Sequence, residues 1–465
     1  MATEHTVIVT GSRSVSHGAL IVILLAQLIL VVDGTVVYMA LPSIAMELDF
    51  PTTTLSWVLN AYMLTFGGLM LLGGCAGSHL GHKRIFITAN MLFIAASCAA
   101  GIAGTPLWLI ITRGLQGIAA AFAAPSAFAL LMILFAQKHS RERALRLYTA
   151  VSGVGSAAGL VLGGILTSYF SWRYVFFINL PIGVLLLMGG IHYLPTDKQK
   201  SGKRLDIAGA LTCTTGMFLL VYGLIQAAEK NPGYAGNSVI AALLILALFV
   251  IIEKRSQDPV LPLSLFSNSL RTGAYLSKFM MIGGMLGTFF FLTQYCQTQL
   301  GYSALETALL FLPLSLSQLI MVVYGCPRLL RALGPRKLLL CGFSLAIAGM
   351  LWLCLVATDS LQIIDLLPAV ILLGMGSGAA LVPLAILGTS DITSSEVGAA
   401  SGVVNATHYL GGAVGTAVII CVADFVLPSI LDMQGSSSNQ MVISAVCSML
   451  FFACSILLTL FTMRD

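Results

Sequence analysis

Fourteen membrane-spanning helices and no β-structure are expected from this sequence, arranged as two six-helix bundles with a two-helix pair inserted between them. Three observations lead there. The chain has 465 residues, 58% hydrophobic and only 9% charged. A water-soluble protein carries roughly a quarter charged residues, so a surface this poor in charge belongs in lipid. The apolar runs are continuous and suit helices of roughly 20 residues, not the ten-residue alternating segments of a β-barrel. With the N-terminus in the cytoplasm, all but four of the 23 Lys and Arg residues fall in segments on the cytoplasmic side. That asymmetry requires an even number of spans with both ends inside. A cytosolic enzyme, a secreted disulfide scaffold and a disordered chain are excluded.

The elements follow in order. A polar cytoplasmic tail, 1–17, precedes span 1 at 18–41, which ends near Pro42. Its length, and the many spans that follow, mark it as a span and not a cleaved signal peptide. Spans 2 to 6 lie at 56–77, 85–104, 107–135, 147–170 and 174–194 and close a first bundle, 18–195. A basic linker, 195–205, carries Lys198, Lys200, Lys203 and Arg204. Spans 7 and 8, at 206–227 and a short 238–252, form the inserted pair within 196–254. A Pro-containing segment, 253–272, opens the second bundle, 255–465. Its spans lie at 273–296, 306–326, 337–357, 362–387, 400–427 and 440–462, and Arg464 ends the chain inside. Only Arg173 and Lys230 fall outside the cell. The loops after spans 2 and 10 echo each other: Gly81-His82-Lys83-Arg84 in one, Gly334-Pro335-Arg336-Lys337 in the other. Matching basic loops in two six-helix blocks suggest a duplicated bundle, the usual build of a transporter with a central site.

Charges inside the spans are the functional candidates, because each costs about 2.5–3.5 kcal/mol near the bilayer centre. Asp33 interrupts span 1 and Arg113 interrupts span 4. Counted from Pro42 and Pro106 at 1.5 Å per residue, the two lie roughly 13 Å and 10 Å below the outer surface. The shared depth permits an ion pair, either a static bridge or a proton site. Lys278, about two turns into span 9, is expected to snorkel to the cytoplasmic interface. His408 in span 13 could titrate or pack.

Gly155, Gly159 and Gly163 repeat every four residues in span 5, with Gly164 beside them. That spacing lays a smooth stripe on which another helix can approach closely and slide. The ten cysteines sit in or beside apolar runs with no metal-binding spacing and read as small apolar residues. Gly374, Gly376 and Gly378 sit within an apolar span, follow no strand, and are rejected as a nucleotide fingerprint. No GxxxxGK[ST], HExxH or nucleophile triad is present, so no enzyme, metal, cofactor or nucleic-acid partner is expected.

Asp33-Gly34-Thr35 through Pro42, Trp57-Val58, Ala61-Tyr62, Arg113-Gly114-Leu115-Gln116-Gly117, Trp172-Arg173-Tyr174 through Gly183, and Ala400-Ser401-Gly402 through Gly412 then appear in order. With these motifs the chain resembles the fourteen-helix drug:proton antiporter branch of the major facilitator superfamily over nearly its whole length. It departs from that pattern at Ser78, where the loop usually has an aspartate that latches the halves. It departs again at Leu160, where Gly-Pro is usual, and at His408-Tyr409, in place of a polar pair.

The resemblance implies proton-coupled export by alternating access, with Asp33 carrying the proton and Arg113 tuning it. Gly81, Arg84 and the span-5 glycines Gly155, Gly159, Gly163 and Gly164 would serve the conformational change. Tyr38, Asn60, Tyr62, Gln116, Phe291 and Gln294 lie at depths where they could line an apolar cavity. Few embedded acids suit lipophilic, neutral or monocationic substrates. The expectation is therefore a monomeric multidrug exporter of the bacterial inner membrane, conferring antibiotic resistance, driven by protons and needing no cofactor. A dedicated exporter of one metabolite or antibiotic, a non-transporting sensor and an inward symporter are the rival readings.

Overall fold

The computed structural model describes residues 13–135, 137–195, 205–356, 362–392, 396–426 and 437–463. The basic residues Lys198, Lys200, Lys203, Arg204 and Arg464 lie outside them. Among the described residues every regular element is a helix. The fourteen long helices are α1 Arg13–Glu47, α2 Trp57–Leu80, α3 His82–Gly101, α4 Pro106–Leu134, α5 Lys138–Tyr169, α6 Asn179–Tyr193 and α7 Ile207–Ala228. They continue as α8 Pro232–Arg255, α9 Ser269–Gln294, α10 Ala304–Ile320, α11 Cys326–Val356, α12 Ile363–Gly388, α13 Val397–Cys421 and α14 Ser437–Thr462.

Local chemistry sets the boundaries. Thr105 caps α4 by accepting from the Trp108 amide, with Pro106 at the first helical position. Ser303 and Glu306 close a capping box on α10. Helix α8, expected to be short, is full length because Pro232 starts it well before the apolar run begins. From Ala304 to Val356 the chain is helical almost without interruption for 53 residues. That is roughly 80 Å of helix against a hydrocarbon core of about 30 Å. The run becomes two spans because Gly334 breaks it, at φ 75° and ψ 168°. Gly81, its echo in the first half, also has positive φ, 97°, and starts α3. Both turns use the left-handed backbone that glycine adopts without steric cost.

The packing repeats with an offset of eight helices. In the first half α1 packs on α5 and α6, α4 on α2 and α3, and α3 on α6. In the second half α9 packs on α13 and α14, α12 on α10 and α11, and α11 on α14. The halves meet along two seams related in the same way, α5 on α10 and α2 on α13. The inserted helices α7 and α8 pack on each other, and α7 also lies against both α2 and α13. The protein is thus two six-helix bundles with a pair laid along one seam. Large apolar side chains such as Leu185, Met188, Leu244 and Leu355 point outward, as a lipid solvent permits. None of the ten cysteines is in a disulfide.

The glycine stripe does what its spacing suggests. A Cβ on Gly159 would stand 3.1 Å from the Val32 carbonyl oxygen, and one on Gly163 would stand 2.5 Å from that of Val36. Helix α5 therefore rests directly on the backbone of α1. Gly164 faces the other way, with Ala308 and Leu305 of α10 each 2.8 Å from where its Cβ would be.

Candidate functional site

Asp33 and Arg113 meet. Arg113 Nη1 donates to Asp33 Oδ2 at 2.7 Å, and both side chains are inaccessible, at 1% and 0% exposure. The carboxylate accepts two further bonds at Oδ1, from Gln116 Nε2 at 3.0 Å and Asn179 Nδ2 at 2.7 Å. Ser97 Oγ receives the second protons of both amides, at 2.8 Å from Gln116 and 3.3 Å from Asn179. Arg113 Nε donates to the Val58 carbonyl at 2.9 Å, and its guanidinium lies over the Tyr62 ring, 4.4 Å from the centroid. Four helices, α1, α3, α4 and α6, thus supply Asp33, Ser97, Arg113 with Gln116, and Asn179 to one network. Taking two charges out of water is expensive, and such a pair survives only when hydrogen bonds satisfy it on all sides.

Arg113 also forms part of the wall of a cavity of about 280 Å³ between the two bundles. Tyr38, Tyr62, Thr35, Ser156 and Leu160 line it from the first bundle. Ile282, Met285, Leu286, Phe289, Ser315, Gln318, His408 and Tyr409 line it from the second. Tyr38 meets Phe289 edge-on with centroids 4.8 Å apart, and Tyr409 stacks on Phe66 at 4.0 Å. The hydroxyls of Tyr38 and Tyr62 are buried without a hydrogen-bond partner. Buried polar atoms rarely stay so; two of them on an aromatic wall offer polar anchors to a ligand.

The expected lining residues divide. Tyr38 and Tyr62 line the cavity. Gln116 does not; it is committed to the carboxylate behind Arg113. Asn60 is fully buried outside the lining, with both amide atoms unpartnered. Phe291 is a correction: Phe289 faces the cavity, while Phe291 packs edge-on against Phe290. Two residues rotate a side chain by roughly 200° around a helix, so the neighbour one step along the face was needed. Gln294, also outside the lining, is half-buried next to the wide turn Tyr295–Gln299. Lys278 is a second correction. Instead of an exposed side chain at the surface, it is 6% exposed, packed among the helices.

Two members of the network, Asn179 and Ser97, had no role from sequence. Asn179 was visible as a lone amide between Ile178 and Leu180. Ser97, among alanines, carried no signal, because a small hydroxyl in a helix usually bonds its own backbone.

Of the loop residues, Lys83 Nζ donates to the carbonyls of Ile191 and Leu194 and so caps α6. Arg84 is exposed. Ser78, where an acid could have latched the halves, bonds only locally, to the Cys75 carbonyl at 2.8 Å. At the end of the bundle near Met39 the two halves are joined by hydrogen bonds. Gln297 Nε2 donates to the Met39 carbonyl at 3.2 Å, and the Leu305 amide to Ser168 Oγ at 3.0 Å. Toward the other end the seams are apolar, Leu71 on Gly402 and Leu319 on Gly153. Among the described residues no group of three or more His, Cys, Asp or Glu could hold a metal ion.

The family profile described as the Major Facilitator Superfamily matches residues 23–416. The puromycin resistance protein pur8 of Streptomyces alboniger is 39% identical over 426 residues, covering 90% of this chain and 84% of its own. The cephamycin export protein CmcT of Amycolatopsis lactamdurans is 36% identical over 418 residues, covering 89% and 86%. The tetracenomycin C resistance and export protein of Streptomyces glaucescens is 29% identical over 421 residues, covering 88% and 76%. Among solved structures, the nucleoside transporter NupG superposes with a TM-score of 0.66 at 11% identity, covering 97% of this chain and 99% of its own. The xylose transporter XylE from E. coli gives 0.62 at 13% identity, covering 95% and 97%. These two likenesses concern the fold.

Proposed function

From the premise that the chain belongs to the Major Facilitator Superfamily, we propose that it exports lipophilic small molecules of the antibiotic class in exchange for protons. The relatives named for resistance and export support the direction and the cargo. One observation carries the coupling: a carboxylate, Asp33, buried in the membrane, whose guanidinium partner Arg113 forms part of the cavity wall. A ligand in the cavity that touches Arg113 or Tyr62 disturbs the bonds that Asp33 accepts. Protonation of the carboxyl and occupation of the cavity then compete for one state of the site.

Export proceeds by alternating access. The bundles 18–195 and 255–465 rock about the α5–α10 and α2–α13 seams, with 196–254 as the inserted pair. The end bonded through Gln297 and Ser168 is the outer one, both termini are cytoplasmic, and the membrane is the bacterial inner membrane. A potential of 100 mV supplies about 2.3 kcal/mol per charge, and tenfold accumulation costs about 1.4 kcal/mol. One inward proton therefore suffices for appreciable efflux.

The test uses inverted vesicles with an imposed pH gradient and a panel of puromycin, a cephamycin and tetracenomycin C. At least one compound should collapse the gradient with the natural chain, and none should with Asp33→Asn. Normal coupling by that variant overturns the proton assignment. Drug accumulation with no proton movement at all would instead favour a transporter driven differently.

A further inference from the structure

We infer that the cavity has a second polar pole, at Lys278, which receives the anionic group of an amphiphilic substrate. The inference rests on the cavity being the substrate site. Lys278 is outside the lining itself, but it lies on the face of α9 that continues through Ile282, Met285 and Phe289, all of which line the cavity, and it stands one turn before Ile282. It is 6% exposed. No carboxylate answers it. Asp33 and Glu47 are paired elsewhere, with Arg113 and Arg173. No hydrogen bond from Lys278 joins it to any described residue.

The groups around it are spoken for or cationic. Tyr275, one turn below, donates to the Gly388 carbonyl at 2.7 Å. Arg271, two turns below, is taken by the carbonyls of Ser264, Leu265, Ser390 and Asp391. On α13 the side chain close enough to interact electrostatically with Lys278 is His408, which lines the cavity.

The charge balance follows. Arg113 is neutralised by Asp33, and no Asp or Glu lines the cavity. Lys278 leaves the second half with a basic group that no Asp or Glu of the cavity lining offsets. An unpaired ammonium in a low-dielectric site is costly, and an arriving carboxylate, sulfonate or phenolate relieves that cost. A cationic ligand meets only repulsion there. The aromatic wall of Tyr38, Tyr62, Phe289 and Tyr409 takes the apolar body, so the favoured substrate is an aromatic or lipophilic acid.

The experiment measures calorimetric binding of three probes of one shape, 1-naphthaleneacetate, 1-naphthaleneacetamide and 1-naphthylmethylammonium, to the full chain in phosphatidylcholine discs. The natural protein should bind the acetate at least fivefold more tightly than the acetamide and the ammonium least. Lys278→Gln should bring the acetate-to-acetamide ratio close to one, with acetamide binding still reporting a folded cavity. Lys278→Arg should keep the preference, and Lys278→Glu should reverse it toward the ammonium. Equal binding of the three probes by the natural chain, or an undiminished preference in Lys278→Gln, overturns the inference. Loss of the preference when phosphatidylglycerol replaces half the lipid also overturns it, by assigning the amine to a headgroup. Asp33→Asn separates this from the coupling mechanism. A retained acetate preference with no proton exchange supports the pole at Lys278. A preference absent from a protein that still exchanges protons sinks the pole alone.

Discussion

Asp33 accepts hydrogen bonds from three side chains, and each donor has a separate cost of removal. Arg113→Ala strands a buried carboxylate, and breaking a buried pair in this way costs about 3–5 kcal/mol. It should lower the Tm of the purified protein more than Asp33→Asn does, since the latter leaves a neutral amide that still bonds Gln116. Asn179→Ala removes one bond to a charged group, worth about 1.5–3 kcal/mol, and should fall between wild type and Arg113→Ala in the same melt. The two charges of this site were evident in the sequence because charge within an apolar run is rare. Asn179 and Ser97 were not, because small polar side chains have many harmless uses in a helix. The choice between Phe289 and Phe291 was also hidden. A helix apolar on every side gives no indication of which face turns to the cavity.

Among the helices, α1 and α5 make a close approach that bears on the site, since α1 carries Asp33. Gly163→Ala would place a methyl carbon 2.5 Å from a backbone oxygen, which cannot swing aside. Overpacking of this kind costs about 1–3 kcal/mol. Gly155→Ala meets side chains alone, Leu28 at 3.1 Å, which can give way, and Val31 at an ordinary 3.4 Å. The thermal melt should therefore separate the two, with Gly163→Ala clearly destabilised and Gly155→Ala close to wild type. Gly334→Ala forces a Cβ into the left-handed region, at about 1–2 kcal/mol; a lower Tm with an unchanged helical circular dichroism spectrum would report it. All fourteen helices could be read from the apolar runs and the lysine and arginine alternation. The length of α8 could not, because its first turns are polar.

Across the whole chain, the eight-helix offset in packing makes the two seams equivalent partners in any rocking motion. Gly164 occupies one of them. Gly164→Leu should wedge α5 from α10 and shift the protein toward the state open at the Met39 end. Faster maleimide labelling of a Met39→Cys reporter in that background would show it; unchanged labelling would mean that the seam does not gate access. The duplication itself was foreshadowed by Gly81 and Gly334. The seams were not, because contacts between helices far apart in sequence leave no periodic mark on either one.

The two seams are nevertheless dressed differently. Helix α7 lies across the α2–α13 junction, with the Trp57 ring of α2 tilted against Phe218, centroids 4.8 Å apart, and Thr214 pressed against Gly68. A strap lying against both bundles has to slip on one of them whenever the bundles part. The junction of α5 with α10 carries no such strap, so any sideways slit wide enough for an oil-soluble molecule dissolved in the bilayer would open on that flank first.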